Sequence, residues 1–293
     1  MPSSSGAVLV TGCSSGIGRA TAVHLAREGY TVFATVRREA DAGELRALGL
    51  STLLPVCPLD LSRAEQIPPV LDFVAGEISR RGIRGLHALV NNAGGSAVAP
   101  VELLSLDKFR TELMTRVLGS VGMVQAFLPL IREARGRIIW IVTPAIMPTP
   151  YVTSIHACDF AVNCVARTLE IELKPWDIPN IMVRCGGIRT RAAQRTSADK
   201  EDGLAQAPPE RAALYRETLR HWGEDMADFD KKRSEPEKVA ELISRALSAR
   251  SPRRRYSVGH MSRAAAFLES LPPPLTDRIL AFRFRQPRAG TGG

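Results

Sequence analysis

The sequence contains no run of 18 or more apolar residues, so it predicts no transmembrane helix. No segment repeats at a fixed period. The first apolar run begins within ten residues of Met1, which argues against a signal peptide, and we expect a cytoplasmic protein. The cysteines are few and scattered, and no CxxC pair occurs among Cys13, Cys57, Cys158, Cys164 and Cys185. This spacing argues against a disulfide framework and against a metal site.

The composition fits one large α/β domain, because 45% of the 293 residues are apolar and can fill a substantial core. The net charge of +9 is uneven, since nine arginines and only two acidic residues lie between Arg250 and Gly293. Such a tail is compatible with an acidic membrane surface or nucleic acid, but it carries no recognised nucleic-acid-binding motif. We favour a solvated basic surface, expect no nucleic-acid partner, and keep weak membrane-surface contact as the alternative.

Short apolar runs alternate with segments of helical periodicity along the first two thirds of the chain. This order predicts a parallel sheet with helices on both faces, with ligands at the carboxyl ends of the strands. The predicted strands are Val8–Val10, Thr31–Val36, Leu53–Val56, Leu86–Val90, Arg137–Val142 and Ile181–Arg184. The predicted helices are Ile17–Glu28, Glu44–Leu48, Ala64–Arg80, Leu106–Ile131 (in one or two pieces) and His156–Leu173.

The last third of the chain is more polar and predicts a helical C-terminal region. Its predicted elements are the helices Pro208–Trp222 and Pro236–Leu247, a strand at Tyr256–Val258, and amphipathic pieces at Arg263–Leu271 and Leu275–Phe284. We favour capping of the core by the amphipathic pieces over their seating on lipid. We expect one domain over residues 1–286, with a basic helical tail at 250–286 and disorder at 287–293.

The stretch Thr11–Gly18 follows the apolar run Ala7–Val10 and opens a segment of helical periodicity, which predicts a strand, a glycine turn and a helix. A helix N-terminus attracts phosphate through its unpaired N–H groups and its dipole. The glycines permit a tight turn and close approach of the backbone to a pyrophosphate. The candidate cofactor-binding residues of this stretch are Gly12, Ser14, Ser15, Gly16, Ile17 and Gly18.

Arg37 follows the second predicted strand, at the position that meets the adenosine ribose in dinucleotide-binding folds. An acidic residue there selects NAD, whereas a basic residue accepts the 2′-phosphate of NADP. The sequence therefore favours NADP(H) over NAD(H). The alternative is that Arg37 is a surface arginine beside a vestigial site.

The glycine stretch, Asp60 after the third strand, and Leu89–Gly94 after the fourth together resemble the short-chain dehydrogenase/reductase family. Val121–Pro129 and the helical tail are most similar to the hydroxysteroid, retinol and hydroxybutyrate dehydrogenase branch. The resemblance implies a Rossmann-type doubly wound sheet with a substrate lid over residues 190–232. It also implies a homodimer or tetramer that packs through the Leu106–Ile131 and His156–Leu173 helices.

The same resemblance implies further contacts to the adenosine half of the cofactor, at Asp60, Leu61, Asn91, Ala93 and Gly94. Asn91 has an alternative role, because it can instead stabilise the central strand.

The family reaction moves a hydride between nicotinamide and a carbonyl carbon, and the resemblance implies a tyrosine, a lysine four residues later, a serine and an asparagine. All four positions differ here: Ile155 stands for the tyrosine, Asp159 for the lysine, Thr143 for the serine and Arg116 for the asparagine. None of the four tyrosines of the chain is followed by a lysine at the required spacing. The sequence therefore predicts that the family's proton donor is missing.

The resemblance brings positions 116 and 159 close together, so Arg116 and Asp159 predict a direct ion pair. This pair either maintains the fold of the pocket or binds an anionic or carbonyl ligand. His156 is a candidate displaced acid or base, or else a partly exposed helix residue. Tyr151 either reaches the pocket or packs on the sheet edge.

These residues support two functional hypotheses. The first is an NADP(H)-binding protein without the usual hydride-transfer machinery, which either catalyses a non-redox reaction of a small hydrophobic metabolite or acts by binding alone. The alternative is an NADP-dependent oxidoreductase of a steroid-, retinoid- or polyketide-like alcohol or ketone, with displaced acid and base residues. Arg116, Thr143, His156 and Asp159 are the catalytic candidates in either case.

Overall fold

The strands of this chain are short and apolar, and they assemble into one parallel sheet. In a computed structural model, which describes residues 6–191 and 203–284, the sheet has seven strands in the order β3-β2-β1-β4-β5-β6-β7. The strands are β1 Ala7–Val10, β2 Thr31–Thr35, β3 Leu53–Val56, β4 Leu86–Asn91, β5 Arg137–Val142, β6 Asn180–Cys185 and β7 Arg255–Val258. All six neighbouring pairs are parallel, so the carboxyl ends of the strands share one edge of the sheet.

Helices cover both faces of the sheet. The helices are α1 Gly16–Arg27, α2 Glu39–Arg46, α3 Ile67–Arg80, α4 Leu106–Glu112, α5 Ser120–Ala134, α6 Thr153–Glu172, α7 Pro209–Lys231, α8 Glu237–Ser248, α9 Ser262–Glu269 and α10 Pro273–Arg283. Side chains of α1 and α8 form one buried core with β1 and β2, and side chains of α3, α5 and α6 form a second core on the opposite face. The predicted doubly wound α/β fold is thus confirmed.

The predicted strand positions are confirmed to within about a residue, but three helices were misplaced. Helix α2 begins at Glu39 rather than Glu44, because Arg38 bonds Asp41 and two acidic residues lie in the positive first turn of the helix. Helix α6 begins at Thr153, one turn before the predicted start. Helix α7 continues to Lys231, beyond the predicted end at Trp222, and pairs such as Lys231 with Asp228 stabilise this polar extension.

The segment Leu106–Ala134 is one continuous helix, interrupted in the middle by a π-helical stretch at Leu113–Gly119. Its length and composition alone would suffice to cross a membrane. However, Met123, Phe127 and Ile131 are fully buried in the core beside β4, which is the position of a core helix. The π-helical stretch carries Arg116, and such irregularities are frequent at functional sites.

The two C-terminal helices cap the core only in part. Leu280 of α10 is buried, whereas Phe267 of α9 and Phe282 of α10 are 66% and 77% exposed. Arg283 binds Asp225 of α7 at 2.7 Å and so holds α10 against α7. The disorder predicted at 287–293 falls outside the described residues, as does part of the predicted lid.

Candidate functional site

The glycine turn lies at the carboxyl edge of the sheet, between β1 and α1. Gly12 has a φ of +72°, and a Cβ atom added to it would lie 2.9 Å from the Cα of Ala93. A Cβ atom on Gly18 would lie 2.3 Å from the carbonyl oxygen of Gly12. The backbone of the turn is therefore as close to the loop after β4 as it can be, and only glycine fits at these positions.

A hydrogen-bonded clamp that the sequence analysis missed holds this turn. The Asn92 amide Nδ2 donates to the carbonyl oxygens of Thr11 and Gly12 at 2.8 and 3.2 Å. The Thr11 hydroxyl accepts from the backbone N–H groups of Asn92 and Ala93, both at 3.0 Å. The signal was the pair of asparagines at the end of β4, Asn91 and Asn92, of which only Asn91 was assigned a role.

Two observations fit a bound dinucleotide phosphate and ribose. Ser15 is the N-cap of α1 in an extended conformation, but its side chain makes no capping hydrogen bond, so the first N–H groups of α1 remain available to an anion. Asn91 is 5% exposed, yet neither polar atom of its side chain has a hydrogen-bond partner in the described part of the chain. Buried amides are rarely left unbonded, so Asn91 fits a ligand better than strand support alone. Ser14, Gly16 and Ile17 complete the same turn.

Arg37 and Arg38 have different environments. Arg38 makes a two-point contact with Asp41, at 2.9 and 2.8 Å, and is thereby held at the start of α2. Arg37 is exposed at the end of β2. Although partial burial opposes ionisation of Asp60, hydrogen bonds from Ser62 and the nearby charge of Arg37 lower its pKa. Arg37 and Asp60 therefore lie at the same corner of the site.

Leu61 is buried, and its carbonyl oxygen would lie 2.4 Å from a Cβ atom on Gly119. It therefore joins the loop after β3 to the helix that carries Arg116.

The second half of the site contains a buried ion pair between Arg116 and Asp159. Asp159 Oδ1 accepts from Arg116 Nη2 at 2.7 Å, and Asp159 Oδ2 accepts from the backbone N–H of Thr143, also at 2.7 Å. The side chains of Arg116 and Asp159 are 15% and 1% exposed. The predicted ion pair is therefore confirmed, and it joins the π-helical stretch, α6 and the end of β5.

The Arg116 guanidinium retains donors that this pair does not use. Burial alone would lower the pKa of Arg116, but attraction and hydrogen bonding to Asp159 outweigh it, so the pKa is raised and the charge is retained. Arg116 Nε is buried without a hydrogen-bond partner among the described residues. A Cβ atom on Gly94 would lie 2.4 Å from Arg116 Nη1, so the guanidinium packs directly on the loop after β4.

The remaining candidates surround this pair. Ile155 lies one helical turn before Asp159 on α6, and its side chain carries no proton. Thr143 donates its hydroxyl to the carbonyl oxygen of Ala145 at 3.2 Å. Burial lowers the pKa of His156 below its usual 6.5, although Asp159 opposes this shift, and His156 Nδ1 has no partner in the described residues. His156 is therefore a neutral imidazole at neutral pH.

Two thiols near the pair are also uncharged. Burial raises the pKa of Cys158 to about 11 and that of Cys185 to about 12. Because the thiolate is the nucleophilic form of cysteine, neither residue is an activated nucleophile at neutral pH. No group of three metal-binding side chains occurs in residues 6–191 and 203–284.

Tyr151 packs against α7, and not on the edge of the sheet, which was one of its two predicted positions. Its ring meets that of Trp222 edge-to-face with 6.3 Å between centroids, and it shares a small core with Val98 and Leu219. Its φ of +69° turns the chain sharply at the entry to α6. Helix α7 is further fixed by the Tyr215 hydroxyl, which donates to Glu102 at 2.8 Å.

A cavity opens between the loop after β4 and the segment that precedes α7. Its lining is mixed, with Ala97, Val98, Ala99, Leu103, Leu104, Ala207 and Pro208 beside Glu102, Ser105, Lys108 and Gln206. Ala97 exchanges two hydrogen bonds with the Ser154 hydroxyl, at 3.1 and 2.9 Å. One wall of the cavity is therefore tied to the start of α6.

A seven-stranded doubly wound sheet with a glycine turn after β1 defines a Rossmann-type dinucleotide-binding protein. The family model for short chain dehydrogenase matches residues 6–201, and the chain belongs to this family.

The relatives lie in the hydroxysteroid and retinol branch. The chain is 33% identical over 269 residues to 11-beta-hydroxysteroid dehydrogenase type 2 of sheep, covering 89% of this chain but only 62% of the relative. It is 28% identical to retinol dehydrogenase 5 of mouse, and the match covers 98% of this chain and 91% of the relative. A short chain dehydrogenase from Burkholderia cenocepacia, solved in complex with NADP, has the same fold, with a TM-score of 0.71 and 19% sequence identity. The match covers 98% of this chain and 100% of that structure.

Proposed function

We propose that this protein is an NADP(H)-dependent oxidoreductase of a hydrophobic alcohol or ketone, in which displaced residues handle the proton. The observation that carries the proposal is the unpartnered amide of Asn91 beside the clamped glycine turn. Arg37, exposed beside Asp60, supports the preference for NADP(H). The dehydrogenase names of the sheep and mouse relatives support redox chemistry.

A steroid-, retinoid- or polyketide-like molecule is the proposed substrate class. The names of the relatives include a hydroxysteroid and a retinol dehydrogenase. The cavity between the loop after β4 and the segment before α7 offers an apolar wall for such a molecule, with a few polar groups to orient it. We also propose a homodimer or tetramer that packs through the helices carrying Leu118 and Phe160. These apolar side chains are 57% and 45% exposed, and their exposure supports that assembly.

The nicotinamide accepts or supplies the hydride when it is bound. In alcohol oxidation, the hydride leaves the carbinol carbon and the hydroxyl proton must pass to a protein group. His156 is neutral and takes this proton in our proposal, because its Nδ1 has no partner. The Arg116 guanidinium, held by Asp159, stabilises the developing oxyanion through its unused donors.

NADPH should stabilise the protein more than NADH does. A ligand at 100 times its dissociation constant adds about 2.7 kcal/mol to the free energy of unfolding, which a thermal melt detects. Arg37→Ala should remove the difference between the two nucleotides, because the 2′-phosphate loses its partner.

Arg38→Ala is the matched control for this experiment, since the Arg38 side chain is engaged with Asp41. It should leave the difference between NADPH and NADH intact. Equal stabilisation of the unmodified protein by both nucleotides would refute the NADP(H) preference.

The rate of alcohol oxidation should fall as the pH drops through an apparent pKa below 6.5. This follows because burial lowers the pKa of His156 and only the neutral imidazole accepts a proton. His156→Gln should abolish this acidic limb and lower the rate about 10²-fold or more. His87→Gln is the control, because burial also lowers the pKa of His87, which lies on β4 beside Tyr30. If His87→Gln and His156→Gln have the same effect, His156 is not the base.

A non-redox or purely binding function is the second candidate. It is favoured by Ile155 and by the closed ion pair of Arg116 with Asp159, which together leave no tyrosine–lysine relay beside the pocket. This candidate predicts that nucleotides raise the melting temperature while no ketone oxidises NADPH. The absorbance of reduced nicotinamide, followed with a panel of hydrophobic ketones, separates the two functions.

A further inference from the structure

The last residue of α9, Glu269, reaches from the C-terminal tail to the loop that follows β5. Glu269 Oε2 accepts from the backbone N–H of Ile146 at 3.3 Å. The same carboxylate accepts from both terminal nitrogens of Arg184 on β6, with Oε1 at 3.1 Å from Nη2. A single carboxylate thus joins the tail, the sheet and the loop over residues 143–152.

The buried guanidinium of Arg184 fixes the position of the Glu269 carboxylate. The Arg184 side chain is 4% exposed, and a buried guanidinium requires a counter-charge, which Glu269 supplies. Burial and the charge of Arg184 lower the pKa of Arg255 on β7, while Glu269 opposes that shift. Arg167 also contributes positive charge to this cluster. The positive charges around Glu269 therefore hold its carboxylate in place. If the carboxylate moved away from Arg184, the buried guanidinium would lose its counter-charge.

The loop that Glu269 contacts carries the proposed proton-handling groups. The loop begins at Thr143, whose backbone N–H binds Asp159. Near its other end, the carbonyl oxygen of Tyr151 accepts from the backbone N–H of Ala99 at 2.9 Å. The His156 ring interacts with the backbone of Met147, the residue after Ile146. Glu269 therefore binds the loop next to the point where it meets His156.

We propose that Glu269 is a positioning residue of the site, which orders the loop over residues 143–152 and through it holds His156 in place. The inference rests on the proposed function, in which His156 accepts the substrate proton. The C-terminal helix α9 is then part of the working site, although none of its residues reaches the reacting atoms.

Two double variants isolate the hydrogen bond to Ile146 from the charge of the ion pair. The Met/Gln variant combines Arg184→Met with Glu269→Gln, which removes both charges but keeps an oxygen that can accept from the Ile146 N–H. The Met/Met variant combines Arg184→Met with Glu269→Met, which removes both charges and the acceptor. Because neither variant leaves a buried unpaired charge, both should fold.

Amide hydrogen exchange and the NMR titration of His156 are the primary readouts, and both work without turnover. In the Met/Met variant, we expect the Ile146 amide to exchange about fivefold faster than in the Met/Gln variant. The pKa of His156 should move upward toward 6.5, because the imidazole becomes more exposed to water. The oxidation rate should fall in the Met/Met variant and be rescued in the Met/Gln variant, with unchanged nucleotide affinity.

Glu170→Gln is the matched control, since Glu170 accepts from Arg254 at 3.0 Å and from the backbone N–H of Asn180 at 3.1 Å at the other end of β6. It should leave the His156 titration unchanged. Equal exchange and equal His156 titration in the two double variants would overturn the positioning role. A changed titration in a protein that transfers no hydride would support the positioning role and refute the proposed oxidoreductase.

Discussion

Replacing Arg116 with methionine lowers the free energy of unfolding by about 3–5 kcal/mol, because Asp159 is left buried without its counter-charge. The Asp159 side chain is 1% exposed, and its other hydrogen-bond donor among the described residues is the backbone N–H of Thr143. One backbone donor does not compensate a buried carboxylate that loses a guanidinium. Urea denaturation, followed by circular dichroism, measures the change.

The controls for this prediction separate the charge from the packing. Arg116→Met with Asp159→Asn removes both charges and should recover most of the lost stability. Arg220→Met breaks an exposed pair with Glu224, at 58% and 60% exposure, and should change stability by less than about 1 kcal/mol. A single Arg116→Met variant as stable as Arg220→Met would show that the pair contributes little to the fold.

Restoring the family's catalytic residues in the His156→Gln variant should raise its rate of hydride transfer about 10²–10⁴-fold, the usual contribution of a positioned acid or base. The restored set is Arg116→Asn, Thr143→Ser, Ile155→Tyr and Asp159→Lys, made together. The new tyrosine and lysine lie one turn apart on α6, so the ammonium would lower the pKa of the phenol. Arg116 changes together with Asp159, so no guanidinium remains to repel the new ammonium.

The matched control carries phenylalanine instead of tyrosine at position 155, with the other three substitutions unchanged. It has nearly the same shape but no proton to exchange, and it should not exceed the single His156→Gln variant in rate. Steady-state oxidation of NADPH with the best ketone of the panel measures both variants. Equal rates in the tyrosine and phenylalanine variants would show that the proton step does not limit the reaction.

The glycine turn and the ion pair of Arg116 with Asp159 could be predicted because each depends on short-range patterns or on the family's register. Strands were located well, since a buried strand in a parallel sheet is a short apolar run. The start of α2 was missed because the two-point bond of Arg38 to Asp41 outweighs a weak hydrophobic pattern.

Contacts between distant segments could not be predicted. Asn92 binds a turn that lies 80 residues earlier, and Glu269 binds Ile146 across 123 positions. Periodicity reports which face of an element is buried, but it does not report which segment covers that face. The packing of Tyr151 on Trp222 is of the same kind, because it depends on where α7 packs.

The central claim is that the chain transfers a hydride although Ile155 and Asp159 stand where the family has tyrosine and lysine. The most direct measurement is incubation with NADPH deuterated at C4 and a panel of hydrophobic ketones, followed by mass spectrometry of the products. Our account predicts one deuterium on the new carbinol carbon, and a lower yield with Arg116→Met or His156→Gln. Stabilisation of the protein by NADPH without deuterium in any product would contradict the account and favour a non-redox function of the same pocket.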